Sequence, residues 1–224
     1  MSPTIKPIAS DAALPAQADI VVIGGGIVGA AAAYFLAKRG RSVALVEKGV
    51  VGGEQSSRNW GWCRQQNRDA RELPLAIRSM ELWDDFATEI GEDPGFRRCG
   101  LVYTTNDAAQ IAQWERWRET AKQFGVETRM LTGPEASAMT AGTGRTWLGG
   151  VHSVTDGKAE PALAAPVLAL GARHHGATIH QGCAARGLDV TNGSVTGVVT
   201  EKGTIRTQSV ILSGGAWASG FCRH

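Results

Sequence analysis

No two of the four cysteines, Cys63, Cys99, Cys183 and Cys222, form a C-x-x-C pair, and the sequence has no histidine cluster at zinc-ligand spacing. Neither a disulfide framework nor a structural metal is indicated, and a reduced, intracellular chain is the expectation. An excess of one charge sign is missing too. The 23 basic and 21 acidic residues leave a net charge of +2, which argues against a polybasic surface for nucleic acid or membrane. Long apolar runs are also lacking: the longest uncharged stretch, residues 20–36, is broken by Gly24-Gly25-Gly26 and Gly29, so it does not read as a membrane span. Residues 1–17 carry only Lys6 and Asp11 as charges and have no apolar centre for a signal peptide. They are expected to be a flexible lead-in, and the location to be cytoplasmic. No repeat of fixed period occurs.

What the sequence does have is glycine, 29 of 224 residues, against a usual share of ~7%. The length is ample for a buried core. The most informative glycines follow a β-branched run, Ala18-Asp19-Ile20-Val21-Val22-Ile23, of the kind that forms a buried parallel strand. That run enters Gly24-Gly25-Gly26-Ile27-Val28-Gly29, which satisfies G-x-G-x-x-G at Gly24, Gly26 and Gly29. An alanine-dense helix over 30–39 is predicted next, stopped by Gly40, and then a strand over 42–47 that ends on Glu47.

Each part of this unit has a physical task. Gly24 permits the tight strand-to-helix turn, Gly26 lets the backbone approach a pyrophosphate, and Gly29 lets the helix pack on the sheet. The helix start, with Ile27 and Val28, offers unpaired N–H groups and the positive end of a dipole to phosphates. Glu47, 23 residues after Gly24, can accept hydrogen bonds from both hydroxyls of an adenosine ribose. A carboxylate there disfavours a 2′-phosphate, so NADP is the least expected dinucleotide. The alternative is an ordinary βαβ unit whose glycines serve packing alone. Strand, turn, capped helix, second strand and terminal acid in register favour the dinucleotide reading, but this unit leaves FAD and NAD both open.

The polar, glycine-rich stretch over 52–62 bears on that choice. The fingerprint, Val46-Glu47-Lys48 and Ser57-Arg58-Asn59-x-Gly61 together resemble the FAD-dependent amine and D-amino acid oxidoreductase family, which includes D-amino acid dehydrogenases, glycine oxidase and sarcosine oxidase. The resemblance implies that Lys48, Ser56, Arg58, Asn59 and Gly61 belong to an FAD site, with backbone N–H groups contributing more than side chains. The family often has Gly-Gly after Arg-Asn, where this chain has Trp60-Gly61. Trp60 and Trp62 read equally as core anchors, and Arg58 as half of a structural ion pair.

Further along, a helix is predicted from Asp69 to Ile90, a strand over 99–105, a helix over 107–124 and a short strand over 127–131. A short helix from Thr132 and a strand over 147–152 follow. Trp114 and Trp117 read as anchors of one helix face. His152 has no paired acid or nucleophile beside it in sequence and reads as a structural histidine. Cys63 reads as a free thiol. A helix over 161–175, a strand over 177–180, an Asn192-Gly193 hairpin, a second hairpin at Lys202-Gly203 and a buried strand over 209–213 complete the pattern.

The last strand runs into Gly214-Gly215-Ala216-Trp217, which resembles the family's second cofactor motif and implies a close backbone pass at Gly215. By the same resemblance Ala185 touches the adenine through its backbone. The expected fold is α/β: a Rossmann-like FAD-binding domain, 18–91 with 159–224, holding an inserted, incomplete α+β substrate domain over 92–158. The resemblance covers only the amino-terminal part of a family member, so a truncated chain is expected, with doubtful activity of its own. It implies oxidation of the CH–NH bond of a D-amino acid or secondary amine by hydride transfer to the flavin. No catalytic residue is assigned. Two rivals remain at this stage: an NAD-dependent dehydrogenase, and a non-catalytic dinucleotide-binding subunit completed by a partner chain, with self-association also open.

Overall fold

The computed structural model describes residues 4–223. The chain divides into two compact units, one of residues 1–60, 86–95 and 160–224 and one of residues 61–85 and 96–159.

The first unit is built on a four-stranded parallel sheet. Its strands are β1 (Ile20–Ile23), β2 (Val43–Val46), β9 (Thr178–His180) and β13 (Val210–Leu212), in the order β13-β1-β2-β9. All four residues of β2 are buried, as expected of a strand covered on both faces. Alternation assigns the faces. Val21, Ile23, Ala44 and Val46 pack against Cys183, Val198 and Ile205, which belong to or flank the antiparallel sheet of β10 (Ala185–Thr191), β11 (Ser194–Thr200) and β12 (Gly203–Arg206). The opposite face meets helices α1 (Ile27–Lys38) and α5 (Pro161–His174). These two helices approach closely because Gly171 has no side chain: a Cβ there would lie 2.8 Å from Tyr34 Cδ2. Tyr34 is fully buried, yet its hydroxyl still donates to Glu89 Oε2 at 2.6 Å, so the ring can be buried without stranding its polar end. Each fully buried aliphatic side chain here, such as Leu45 or Ile179, contributes about 1.5–3 kcal/mol.

The second unit is α+β. It holds the sheet β3-β8-β4, made of β3 (Trp62–Cys63), β4 (Arg97–Arg98) and β8 (Gly157–Lys158). Its other sheet, β5-β7-β6, is antiparallel and comprises β5 (Leu101–Thr105), β6 (Thr128–Thr132) and β7 (Gly149–Ser153). Its helices are α3 (Ala108–Gln123), α4 (Gly133–Met139) and most of α2 (Leu73–Ile90). Asp107 caps α3 by accepting from the Ala109 N–H at 2.8 Å. Thr132 and Glu135 form a reciprocal capping box at α4. Trp114 is buried and Trp117 donates its Nε1–H to the Arg68 carbonyl at 2.7 Å, so both serve as anchors.

Three parts of the chain are placed differently from the sequence pattern. The lead-in is not loose over its described residues. The Lys6 N–H donates to the Ala162 carbonyl at 3.0 Å and the Asp11 N–H to the Ile179 carbonyl at 2.8 Å, tying the arm to the first turn of α5 and to the edge of β9; the first three residues of that lead-in lie outside the described residues. Residues 61–85, expected on the cofactor side, belong to the second unit. There β3 pairs with β8 and the buried Asp156 carboxylate accepts from the Gln65 and Gln66 N–H groups at 2.7 and 3.3 Å. Residues 92–95 fall in the first unit, where the Glu160 N–H donates to the Pro94 carbonyl. Finally, Trp60 and Trp62 are not core anchors, being 80% and 48% exposed.

Candidate functional site

The strand-to-helix turn after β1 forms one wall of a cavity of about 490 Å³ in the first unit. Gly24 has φ +105, and an added Cβ would lie 2.6 Å from the Ser213 carbonyl oxygen, so glycine is required both for conformation and for closeness to the end of β13. Gly29 is buried, and a Cβ there would collide with the Gly24 carbonyl. At Gly26, by contrast, a Cβ would meet only Ser56 Oγ, at 3.1 Å. Gly26 is the N-cap of α1 and supplies no side-chain cap. The Ile27 N–H donates to Ser56 Oγ at 2.9 Å, and Val28, in the first turn, is exposed and lines the cavity. A helix start facing a cavity, with no side chain on its N-cap residue, offers backbone N–H groups and the positive end of a dipole to that cavity.

Glu47 closes the end of β2. It is buried, and its two carboxylate oxygens accept from the Gly25 N–H at 2.7 Å and the Gly49 N–H at 2.8 Å. Those bonds fix the carboxylate while leaving lone pairs on each oxygen for further donors. Lys48 Nζ sits 3.8 Å from the centroid of the Trp217 ring and donates to Glu54 Oε1 at 2.7 Å. The hydrogen bond from Lys48 lowers the Glu54 carboxyl below its ordinary value, so this exposed carboxylate stays ionised to lower pH than a free one.

Nine of the predicted residues line this cavity: Gly24, Gly26, Ile27, Val28, Glu47, Lys48, Ser56, Ala185 and Gly215. Gly29 acts behind it through packing. Arg58 is instead exposed and lies 3.7 Å from Glu54, and Asn59 donates to the Ser56 carbonyl at 2.7 Å, closing the short turn over 55–57. Gly61 is in the second unit, where its carbonyl accepts from the Ala159 N–H. His152 lies within β7, half-buried, with Gly100 against its ring, and has no place in the cavity. Sequence reasoning missed Ser213, whose Oγ donates to the Ile23 and Gly24 carbonyls at 3.0 and 3.1 Å. It also missed Arg186 and Phe221. The signal for Ser213 was its place at a strand end directly before Gly214-Gly215; nothing in the sequence marks the other two.

The residues present fit a dinucleotide. The turn has a glycine whose added Cβ would meet only Ser56 Oγ, at 3.1 Å, the helix start receives no side-chain cap from its own N-cap residue, and a buried carboxylate stands at the next strand end. Burial of Cys63 pushes its thiol up to about 11, so it is no nucleophile at neutral pH. Among the described residues no group of histidine, cysteine, aspartate or glutamate could hold a metal ion, and no helix is long and apolar enough to cross a membrane.

A parallel sheet with a glycine turn at the carboxyl end of its first strand and an acid at the end of its second defines a Rossmann-like dinucleotide-binding protein. Residues 19–224 match the FAD dependent oxidoreductase (DAO) family, and the chain belongs to it. That membership decides for FAD over NAD, which the βαβ unit alone left open. Among solved structures, the L-amino acid deaminase of Proteus myxofaciens aligns over 99% of this chain and 51% of its own length, at 34% identity and a TM-score of 0.92. Glycine oxidase of Geobacillus kaustophilus is 29% identical over 210 residues, covering 90% of this chain and 55% of the oxidase. The mitochondrial pyruvate dehydrogenase phosphatase regulatory subunit of Mus musculus is 26% identical over 208 residues, covering 92% of this chain and 24% of that protein. The chain thus spans about half the length of the first two and a quarter of the third.

Proposed function

We propose that the chain carries the FAD-binding part of an oxidoreductase that oxidises the carbon–nitrogen bond of an amino acid or secondary amine. The observation that carries this reading is the cavity wall made by Gly26, the start of α1 and buried Glu47, within a family of FAD-dependent enzymes. The names of the relatives, an L-amino acid deaminase and a glycine oxidase, support the substrate class. When bound, FAD supplies the acceptor for the hydride that leaves the nitrogen-bearing carbon.

The chain's own residues do the holding. The N–H groups and dipole of α1 stabilise the pyrophosphate charge. Glu47, already fixed by two backbone donors, accepts from the ribose hydroxyls. The backbones at Ala185 and Gly215 bound the cavity without side chains that would narrow it, and a Cβ at Gly215 would find open space. Lys48 and Trp217 cover one side. Arg58 and Asn59 remain part of the proposed cofactor set through the backbone of their loop, and the second unit is the proposed substrate-domain portion.

The test is the visible spectrum of the purified protein after incubation with FAD, followed by anaerobic addition of amino acids and N-methylated amines. Flavin bands that persist through gel filtration and bleach with one of these substrates are expected. A colourless protein that takes up no FAD contradicts the reading. A second reading, a non-catalytic FAD-binding subunit completed by a partner chain, is favoured by the likeness to a phosphatase regulatory subunit. It predicts bound flavin that no amine bleaches.

A further inference from the structure

Between β9 and the antiparallel sheet, Gln181 joins three segments that are distant in sequence. Its side-chain Oε1 accepts from the Val51 N–H at 2.8 Å. Its Nε2 donates to the Ile8 carbonyl at 2.9 Å, and its backbone N–H donates to Ser10 Oγ at 2.9 Å. The arm is held there by more than this residue. Arg173 donates to the Ala9 carbonyl at 2.9 Å and to Asp11 Oδ2 at 3.2 Å, and the Ile179 N–H donates to the same Asp11 oxygen at 2.7 Å.

Val51 is the far end of the relay. It is 1% exposed, and its Cγ2 would lie 3.1 Å from a Cβ built on Gly25, so its side chain fills the space beside that glycine of the turn. The neighbouring Gly52 N–H donates to the Gly25 carbonyl at 2.9 Å. The loop from Lys48 to Gly53 therefore lies between Gln181 and the proposed phosphate site. A glutamine amide suits this position because it donates on one side and accepts on the other, without placing a charge beside the Glu47 carboxylate.

We propose that Gln181 is a positioning residue for the cofactor site, relaying the docking of the N-terminal arm through Val51 to the glycine turn. The inference rests on the FAD reading for its consequence, but the relay itself is a property of the free chain. An arm that merely covers a sheet edge would change the melting temperature and nothing local to the loop. The relay sets the loop's order and, through it, affinity for FAD.

The experiment measures hydrogen exchange at Val51 in the ligand-free protein, and FAD affinity by flavin fluorescence, for wild type, Gln181→Ala and Gln181→Glu. Loss of one net hydrogen bond predicts Val51 exchange faster by about threefold to tenfold in Gln181→Ala, with FAD binding weakened by a similar factor and β1 exchange unchanged. Gln181→Glu keeps an acceptor for Val51 but loses the donor to the Ile8 carbonyl, so Val51 exchange stays faster than in wild type; wild-type protection in this variant contradicts a relay from the arm. Unchanged Val51 exchange and FAD affinity in Gln181→Ala overturn the proposal. Should Gln181→Ala fail to fold, a chain lacking residues 1–10 gives the same readouts: faster Val51 exchange supports the relay and unchanged exchange refutes it. If wild type binds no FAD, the functional reading fails, while the Val51 measurement still decides the relay.

Discussion

A methyl group added at Gly26 and one added at Gly29 would meet different surroundings, and the difference separates binding from folding. Gly26 has φ −70, which any residue adopts, and its Cβ would touch only Ser56 Oγ. Gly26→Val is therefore expected to melt within a few degrees of wild type while weakening FAD binding by at least about a hundredfold, since the side chain occupies the ligand's space. At Gly29 the new atom would strike the Gly24 backbone. Gly29→Ala is expected to cost about 2–4 kcal/mol of stability, measured by denaturant unfolding, as overpacking against rigid backbone does. His180 gives a pH dependence. It is fully buried, with Nδ1 3.2 Å from the Asp11 carbonyl and Nε2 2.9 Å from Thr178 Oγ1. Burial lowers its pKa below the ordinary value of 6.5, outweighing the attraction of Asp11, while Lys202 and Arg173 lower it further. The unfolded chain then binds the proton more readily, so this stability is present above pH 6.5 and is lost as pH falls through the lowered folded value. Thermal melts from pH 7.5 down to 5 should show the decline, and His180→Gln should flatten it.

Among the elements, the β1–turn–α1–β2 unit was legible because every requirement in it is local: a β-branched run, glycines at three fixed offsets, alanines, and an acid at a strand end. The helix begins at Ile27, three residues earlier than alanine content suggested, because Gly26 ends the turn and serves as N-cap. The hairpin at Asn192-Gly193 was legible for the same local reason, with both residues at positive φ. What escaped was non-local. The two-residue strands β3 and β4 exist only through pairing with β8, and nothing in Trp62-Cys63 or Arg97-Arg98 announces a partner about sixty to ninety-five residues away. The arm over residues 4–17 looked mobile from composition, and its order comes from Arg173, Ile179 and Gln181. In the site, the lining glycines and Glu47 could be read, whereas Arg186 and Phe221 reach the cavity only through the fold. Two elements offer tests. Thr132→Ala removes the capping box of α4 and should cost about 1 kcal/mol, seen as earlier chemical unfolding. Cys63 in β3, with its thiol near 11, should resist alkylation at pH 8, where about one molecule in a thousand is thiolate. The exposed Cys99 and Cys222 should react first in a mass-resolved time course.

At the scale of the molecule, the first unit is organised by its parallel sheet, one face of which packs on Cys183, Val198 and Ile205 while the other meets α1 and α5. The second unit keeps smaller clusters, such as Met80, Phe96 and Ala159. The cavity wall belongs to the first unit alone, so the account makes cofactor recognition a property of that unit's strand ends. The family match over residues 19–224 spans both units, and the coverage of about half the length of glycine oxidase leaves the oxidation chemistry to be measured on this chain. The most direct measurement is a titration of ligand-free protein with FAD, followed by flavin fluorescence, for wild type and Gly26→Val side by side. Saturable one-to-one binding by wild type, competed by ADP and absent in an equally stable Gly26→Val, is the predicted result. Equal binding by the two proteins, or none by wild type, would contradict the placement of FAD at the glycine turn.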